Sequence, residues 1–466
     1  MTLKSKVKYA HPVRESEGVR PRRVGRDDPS GRLYGGSDPR SDPITLKEVV
    51  SSLQKLSLKN KFKTTLLGIG PMSEVVLQAS LELARDYDFP VIFIASRNQV
   101  DTNELGGGYV QGWNQTSFSK SIDRIAKEVG FRGLIFKCRD HGGPWQRDEE
   151  LQAKLKEKEA MEKGKLSFIA DLEAGFHLLH IDPTKDPHFE KGAPLKITLR
   201  RTLELIEWTE KERKRRGLPP VSYEVGTEDI VGGLTAVSSF QQFIAELNKR
   251  LDYKGLPLPA FIVGQTGTKV MMKRNVGTFN SQRAAKLAEV ALKYGIGFKE
   301  HNTDYLPKDI LKEHPELGIT AANVAPEFGV AETEACLKLA KKEEKINTPA
   351  ISKSNFIPLI QRAVLKEERW RKWLLKEESH LTKEEIIKNK KRLEEITQIS
   401  GHYVFHHPQI RRAREKLYEN LKQNKIVRSP EEEVKSAVKK KIKKYIRAFN
   451  LEGSTTQILQ SLTYSQ

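Results

Sequence analysis

Eight short apolar runs, each followed by a stretch long enough for a helix, carry the chain from Thr64 to about Lys345. They read TTLLGIG (64–70), VIFIAS (91–96), GLIFKCRDH (133–141), FHLLHID (176–182), SYEVGTE (222–228), AFIVGQTG (260–267), IGFKEHNTD (296–304) and ITAANVAP (319–326). Strand and helix signals alternating at this cadence imply a parallel sheet with helices outside it. Eight such units fit a closed (β/α)8 TIM barrel, and the span is near the ~250 residues typical of that fold. In such a barrel the C-terminal ends of the strands form the active-site mouth. Asp140-His141, His180, Asp182, Glu228, His301 and Asp304 all fall at those ends. Their position, as much as their type, points to an α/β enzyme.

At 466 residues the chain exceeds one ordinary domain. We divide it into an N-terminal tail (1–45), the barrel (46–346) and an all-helical C-terminal appendage (347–466). The tail is rich in Arg, Gly, Pro, Ser and Asp without apolar periodicity, as flexible segments are. A helix over Leu46–Leu58 is placed to close the barrel bottom. Further helices are expected over Met72–Tyr87, Ser117–Val129, Asp148–Gly175, Pro194–Arg216, Thr235–Leu251 and Asn280–Tyr294. In the appendage they are expected over Phe356–Glu377, Thr382–Gln398, Pro408–Asn424 and Pro430–Phe449, with a frayed end from Gly453. Cys138 and Cys336 are too few for a disulfide scaffold and form no CxxC metal site. No run approaches 18 uncharged apolar residues, and Met1–Ala10 lacks the apolar segment of a signal peptide, so a cytoplasmic protein off the membrane is expected.

The net charge of +20 is unevenly spread: +4 on residues 1–45, +4 on the barrel and +12 on residues 346–466. A basic tail can bind nucleic acid. Here the positives alternate with Glu at helical spacing, as on the Lys/Glu-rich surfaces of thermophilic proteins, and no nucleic-acid motif accompanies them. That disfavours a nucleic-acid partner. The large apolar faces of the appendage, which include Trp370 and Trp373, suggest packing on the barrel or in a homo-oligomer.

His141, Glu228 and His301 end the third, fifth and seventh runs. Mixed imidazole and carboxylate donors suit Zn²⁺, Mn²⁺, Co²⁺ or Ni²⁺ better than Ca²⁺. Asp140 and Asp182 are the acid/base candidates, with Asp304 in reserve. His180 shares a face with Asp182 one layer deeper and reads as a buried, hydrogen-bonded histidine. Arg97, Asn98, Gln99, Gly107, Tyr109 and Gln265 are candidates for substrate binding, since the Gly106–Gly108 loop lets backbone N–H groups approach a ligand. No GxxxxGK[ST], GxGxxG, HExxH or GxSxG motif is present.

Read in order, NQV (98–100) with GGY (107–109), DHGGPW (140–145), AGFHLLHID (174–182), GTE before Gly232-Gly233, HNTDY (301–305), RWRKW (369–373) and KYIRAF resemble the GatZ/KbaZ family. That family is described as non-catalytic subunits of class II tagatose-bisphosphate aldolase. The resemblance spans about residues 60–450 and implies a class II aldolase-like barrel with a divalent metal near the strand ends and a catalytic aldolase chain as possible partner. Thr102–Leu105 looks like an insertion, and the N-terminal tail has no counterpart. IDPTKDPH (181–188) is similar to more distant metal-dependent tagaturonate epimerases. One chemistry accommodates both families: retro-aldol cleavage of a ketohexose between C3 and C4, with re-addition to the other face of the aldehyde, gives the C4 epimer. The alternatives are tagatose-bisphosphate cleavage and a stabilising subunit without activity. A bisphosphate needs two anion sites, and Arg97, Arg139, Lys269 and Lys299 are the few cations on offer, which favours an unphosphorylated sugar.

Overall fold

A computed structural model describes residues 43–190, 192–226, 234–347 and 351–463. All but the last three residues of the N-terminal tail, Glu228, and the Gly232-Gly233 pair lie outside them. Eight parallel strands close into a barrel: β1 Leu66–Ile69, β2 Val91–Ser96, β3 Ile135–Gly142, β4 Leu178–Ile181, β5 Ser222–Gly226, β6 Phe261–Val263, β7 Gly297–Glu300 and β8 Ile319–Val324. They pair in chain order, and β8 returns to β1 with Leu66 opposite Ala321. Most strand residues are buried whichever way they point, which is why the runs read as continuous apolar segments rather than alternating ones.

The helix Leu46–Leu58 caps the bottom. Thr45 and Glu48 close its start in a reciprocal capping box. Its apolar stripe of Leu46, Val49, Val50 and Leu53 packs on bottom-layer strand residues that include Leu66, Phe136, Leu178 and Phe261. The Lys47 ammonium donates to the carbonyls of Pro259 and Gly295, each at 2.7 Å, and burial lowers its pKa to about 8.

The outer ring is completed in an unexpected way. The helix after β8, Pro326–Glu344, packs on the C-terminal helices. Pro430–Ala448 instead lies between Glu74–Tyr87, which follows β1, and Lys308–Glu316, which follows β7. Its Val438, Ile442, Tyr445 and Ile446 join the main barrel core. The Phe449 carbonyl just beyond it accepts the N–H of Thr65, at the start of β1. A helix from the C-terminal region therefore fills the eighth outer position.

Three expected helices are broken, two of them where the backbone turns left-handed. Asp148–Gly175 is two helices, Asp148–Gln152 and Glu157–Glu173, with Lys154 at φ 47° between them. Phe356–Glu377 ends at Glu367; Glu368 has φ 56° and a 3-10 turn, Arg369–Trp373, follows. Thr382–Gln398 breaks at Asn389, which caps the helix Lys390–Ser400 by accepting from the Arg392 amide. Of the end expected to fray, the described part is ordered: Ser454–Thr463 is a helix whose Ile458 is buried against Leu46–Leu58, and Asp88 accepts from the backbone and hydroxyl of Thr456. Trp370 is fully buried within the chain, so its side chain gives no argument for self-association. Among the described residues no helix is long and apolar enough to cross a membrane.

Candidate metal centre

Neighbouring residues of a strand face opposite ways, yet Asp140 and His141 both reach the mouth. The pairing of β3 with β4 shifts register between Arg139 and Gly142, and His141 sits at φ 45°. A non-glycine residue in that region is strained, and such strain is commonly held at functional sites. The bulge turns the His141 ring inward beside those of His180 and His301, with centroids 5.3 and 4.8 Å away.

The two outer imidazoles are each held by a carboxylate. His141 Nδ1 lies 2.7 Å from Asp182 Oδ2, and His301 Nε2 lies 3.1 Å from Glu224 Oε1. Ionised carboxylates can only accept, so each of those ring nitrogens carries the hydrogen. The other nitrogens, His141 Nε2 and His301 Nδ1, then present lone pairs to each other at 3.2 Å. In neutral rings two facing lone pairs repel unless a cation, a proton or a metal ion, lies between them. With metal–nitrogen bonds of 2.0–2.1 Å, tetrahedral geometry sets two ligand nitrogens about 3.3 Å apart. Carboxylate–histidine–metal chains are the usual way such rings are fixed in tautomer and orientation.

The charges fit the same reading. Burial would raise the Asp182 pKa, but hydrogen bonds from His141 and Thr184 hold it well below the carboxylate range. Burial likewise opposes ionisation of Glu224, and the Lys299 ammonium, 2.6 Å away, together with His180 and His301 more than offsets it. Asp140, Asp182 and Glu224 against Lys299 leave a surplus of negative charge beside the rings, suited to a divalent ion. His180 is fully buried; its Nδ1 accepts the His141 amide, and its Nε2 has no partner among the described residues. The expectation of a hydrogen-bonded core histidine thus fits one of its two nitrogens. Its ring closes two clusters of close ligand atoms, His141/His180/His301 and Asp140/His180/Glu224/His301. Glu228 lies outside the described residues.

The three aspartates differ in what they are free to do. Asp140 Oδ1 accepts from Asn323 Nδ2 at 3.1 Å and lies 3.7 Å from His301, and its carboxylate retains some exposure. Asn323 can stand there because residue 68 is glycine: a Cβ on Gly68 would come within 2.2 Å of Asn323 Oδ1. Asp182 is committed to His141 and to the amide and hydroxyl of Thr184, so it orients a ligand rather than serving as a free base. Asp304 accepts from the amides of Ala325 and Glu327 and caps the helix after β8; burial raises its pKa to about 7. Replacing Asp182 with Ala is expected to weaken metal binding 10- to 100-fold. Competition against a chelator measures it, and unchanged affinity would remove Asp182 from this role.

The side chains expected at the substrate are largely engaged within the fold. Arg97 is wholly buried and spends its guanidinium on Asp101, Glu150 and the Gly143 carbonyl. Asn98 bonds to Gln146 and Asp148, Gln99 to the Ser96 amide and Met72, and the Gly107 carbonyl to Arg147. Tyr109 packs edge-on against Tyr403 beneath Arg369, and burial raises its phenol pKa. Gln265, at the end of β6, is half-buried, and its backbone bonds to Thr235. Arg139 is buried against Asp171 and Lys299 against Glu224, so neither is free for an anion. Sequence reasoning missed Glu224 and Asn323; the available signal was an acid and an amide inside otherwise apolar strand runs.

Over residues 53–450 the chain matches the family model described as D-tagatose-1,6-bisphosphate aldolase subunit GatZ/KbaZ-like. The chain belongs to this family. It is 26% identical over 378 residues to the D-tagatose-1,6-bisphosphate aldolase subunit GatZ of Klebsiella oxytoca, covering 76% of this chain and 83% of that one. A protein from Sinorhizobium meliloti 1021, described as a probable tagatose 6 phosphate kinase, shares the fold at TM-score 0.67 and 22% identity, over 82% of this chain and all of its own. The fructuronate-tagaturonate epimerase UxaE of Cohnella laeviribosi aligns at TM-score 0.51 and 11% identity, over 83% of this chain and 81% of its own.

Proposed function

We propose that this chain is a divalent-metal-dependent ketohexose C4-epimerase of the fructose/tagatose type, acting through a retro-aldol/aldol step. The observation that carries it is the pair of facing imidazole nitrogens, each backed by a carboxylate, at a barrel mouth. His141 and His301, with Glu228 as the third donor, would hold Zn²⁺, Mn²⁺, Co²⁺ or Ni²⁺. A bound ion supplies Lewis acidity at the C2 ketone.

Asp140 takes the proton of the C4 hydroxyl. The O–H electron pair forms the aldehyde carbonyl as C3–C4 breaks, and the bond's electrons stay on the ketone fragment. Once the aldehyde presents its other face, the C3–C4 bond re-forms and Asp140 returns the proton. Asn323 holds the Asp140 carboxylate throughout. Asp140→Asn should lower kcat by about 10²- to 10⁴-fold with metal affinity retained; unchanged turnover would reassign the base.

The sugar is unphosphorylated in this reading. Three of the four cations that could have held phosphate are locked onto buried acids, and Lys269 alone stays exposed. The family name supports a second reading, an aldolase or a stabilising subunit of one. Metal-loaded protein incubated with fructose, tagatose and their mono- and bisphosphates separates these. Interconversion of the free hexoses is expected. Release of three-carbon products would make it an aldolase, and metal binding without turnover of any sugar would favour the stabilising subunit.

A further inference from the structure

Along most of the C-terminal region the positive charges are matched. Lys341 pairs with Glu394, Lys342 with Glu433, Arg392 with Glu395 and Lys422 with Glu431. The matching fails on one face. KKKIKKYIR (439–447) holds six cations in nine residues and no acid. Lys439, Lys440, Lys443, Lys444 and Arg447, with Ser436 and with Lys308 from the neighbouring helix, line a shallow depression of about 490 Å³ whose lining includes no carboxylate. Glu82 pairs with Lys439 and also with Lys435; Glu327 lies near both Lys441 and Lys444. Lys308, Lys440, Lys443 and Arg447 pair with no carboxylate among the described residues. Lys440, Arg447 and Lys308 are exposed, so packing does not require them to be cationic.

We infer that this stripe is a contact surface for a nucleic-acid phosphate backbone. Lysine and arginine heads, a serine hydroxyl and a helix N-terminus are the groups that meet phosphate in such complexes, and all occur here together. Lys308 is the first residue of Lys308–Glu316, whose start has no side-chain cap. From Ser436 to Arg447 the helix rises about 16 Å, enough to follow several phosphates along one strand. A protein partner fits less well. Interface cores are enriched in aromatic residues and depleted in lysine, and this depression is lined by cations and one serine. The lining offers no aromatic face to stack on a base, so binding depends on charge and not on sequence.

The test uses the full-length chain and a fluorescent 20-base-pair duplex. The variant Lys308→Glu/Lys440→Glu/Arg447→Glu removes three stripe cations. Lys120→Glu/Lys249→Glu/Lys338→Glu makes the same charge change at exposed lysines elsewhere. Binding should weaken steeply with salt in the wild type. In the stripe variant it should fall about tenfold or more at 100 mM salt, with the log–log salt slope reduced by about two to three. The control variant should bind within about twofold of wild type. Equal loss in both variants would reduce the effect to net charge and overturn the site. So would absence of binding in the wild type. Polyglutamate competing as well as DNA, charge for charge, would refute a phosphate surface. Retained ketose turnover and unchanged melting in both variants would show that the fold is intact.

Discussion

Stoichiometric retention of a divalent ion will be lost in His141→Ala/His301→Ala while the barrel stays folded. The two rings supply the facing nitrogens, and Asp182 and Glu224 serve them from behind. Removing both rings leaves Asp182 without its imidazole donor, at about 1–3 kcal/mol for an unsatisfied buried group. Glu224 keeps the Lys299 ammonium and changes less. Neither loss approaches the 5–15 kcal/mol stability of a typical domain. Sugar turnover should fall by about 10³-fold or more, because Lewis-acid stabilisation contributes several kcal/mol. Elemental analysis after dialysis checks the first part and thermal unfolding the second. Full metal occupancy in the double variant would place the ion elsewhere.

A chain ending at Arg428 will not fold. That truncation removes Pro430–Ala448 and with it Val438, Ile442, Tyr445, Ile446 and Phe449, each at most 1% exposed. At about 1.5–3 kcal/mol per fully buried side chain, these five contribute roughly 8–15 kcal/mol, comparable to the whole stability of a domain. The truncation also uncovers apolar surface on the helices after β1 and β7. A milder variant keeps the claim testable in soluble protein: Ile442→Ala should cost about 2–5 kcal/mol in urea unfolding. A soluble truncated barrel with native circular dichroism and a sharp melt would refute the structural role given to this helix.

The strands were legible because each is a continuous apolar run between turn signals, and burial on both faces leaves no other pattern. His141 and His301 were legible for the same reason, since a polar residue ending such a run has to lie at the mouth. The rest depended on long-range contacts. Nothing local in RNQVDTNELGGGY marks Arg97 as buried and ion-paired; its partner Glu150 lies 53 residues away. Glu224 and Lys299 are 75 residues apart, and either alone reads as an isolated charge. The breaks at Lys154 and Glu368 occur at residues with ordinary helix preference, placed left-handed by their surroundings. Helical periodicity over 430–449 gives the element but not the groove that receives it.

That groove sets an order of events during synthesis. The carbonyl of Phe449 receives the hydroxyl of Thr64 from 385 residues earlier in the chain. Closing a loop of that length is a late event in folding, since contacts distant in sequence form slowly. A nascent chain can build its successive βα units as they emerge and pair β8 with β1 once residue 324 is out, but the helical layer outside that seam stays incomplete until residue 449 has left the ribosome. Until then the apolar flanks of the helices after β1 and β7 are exposed and open to aggregation.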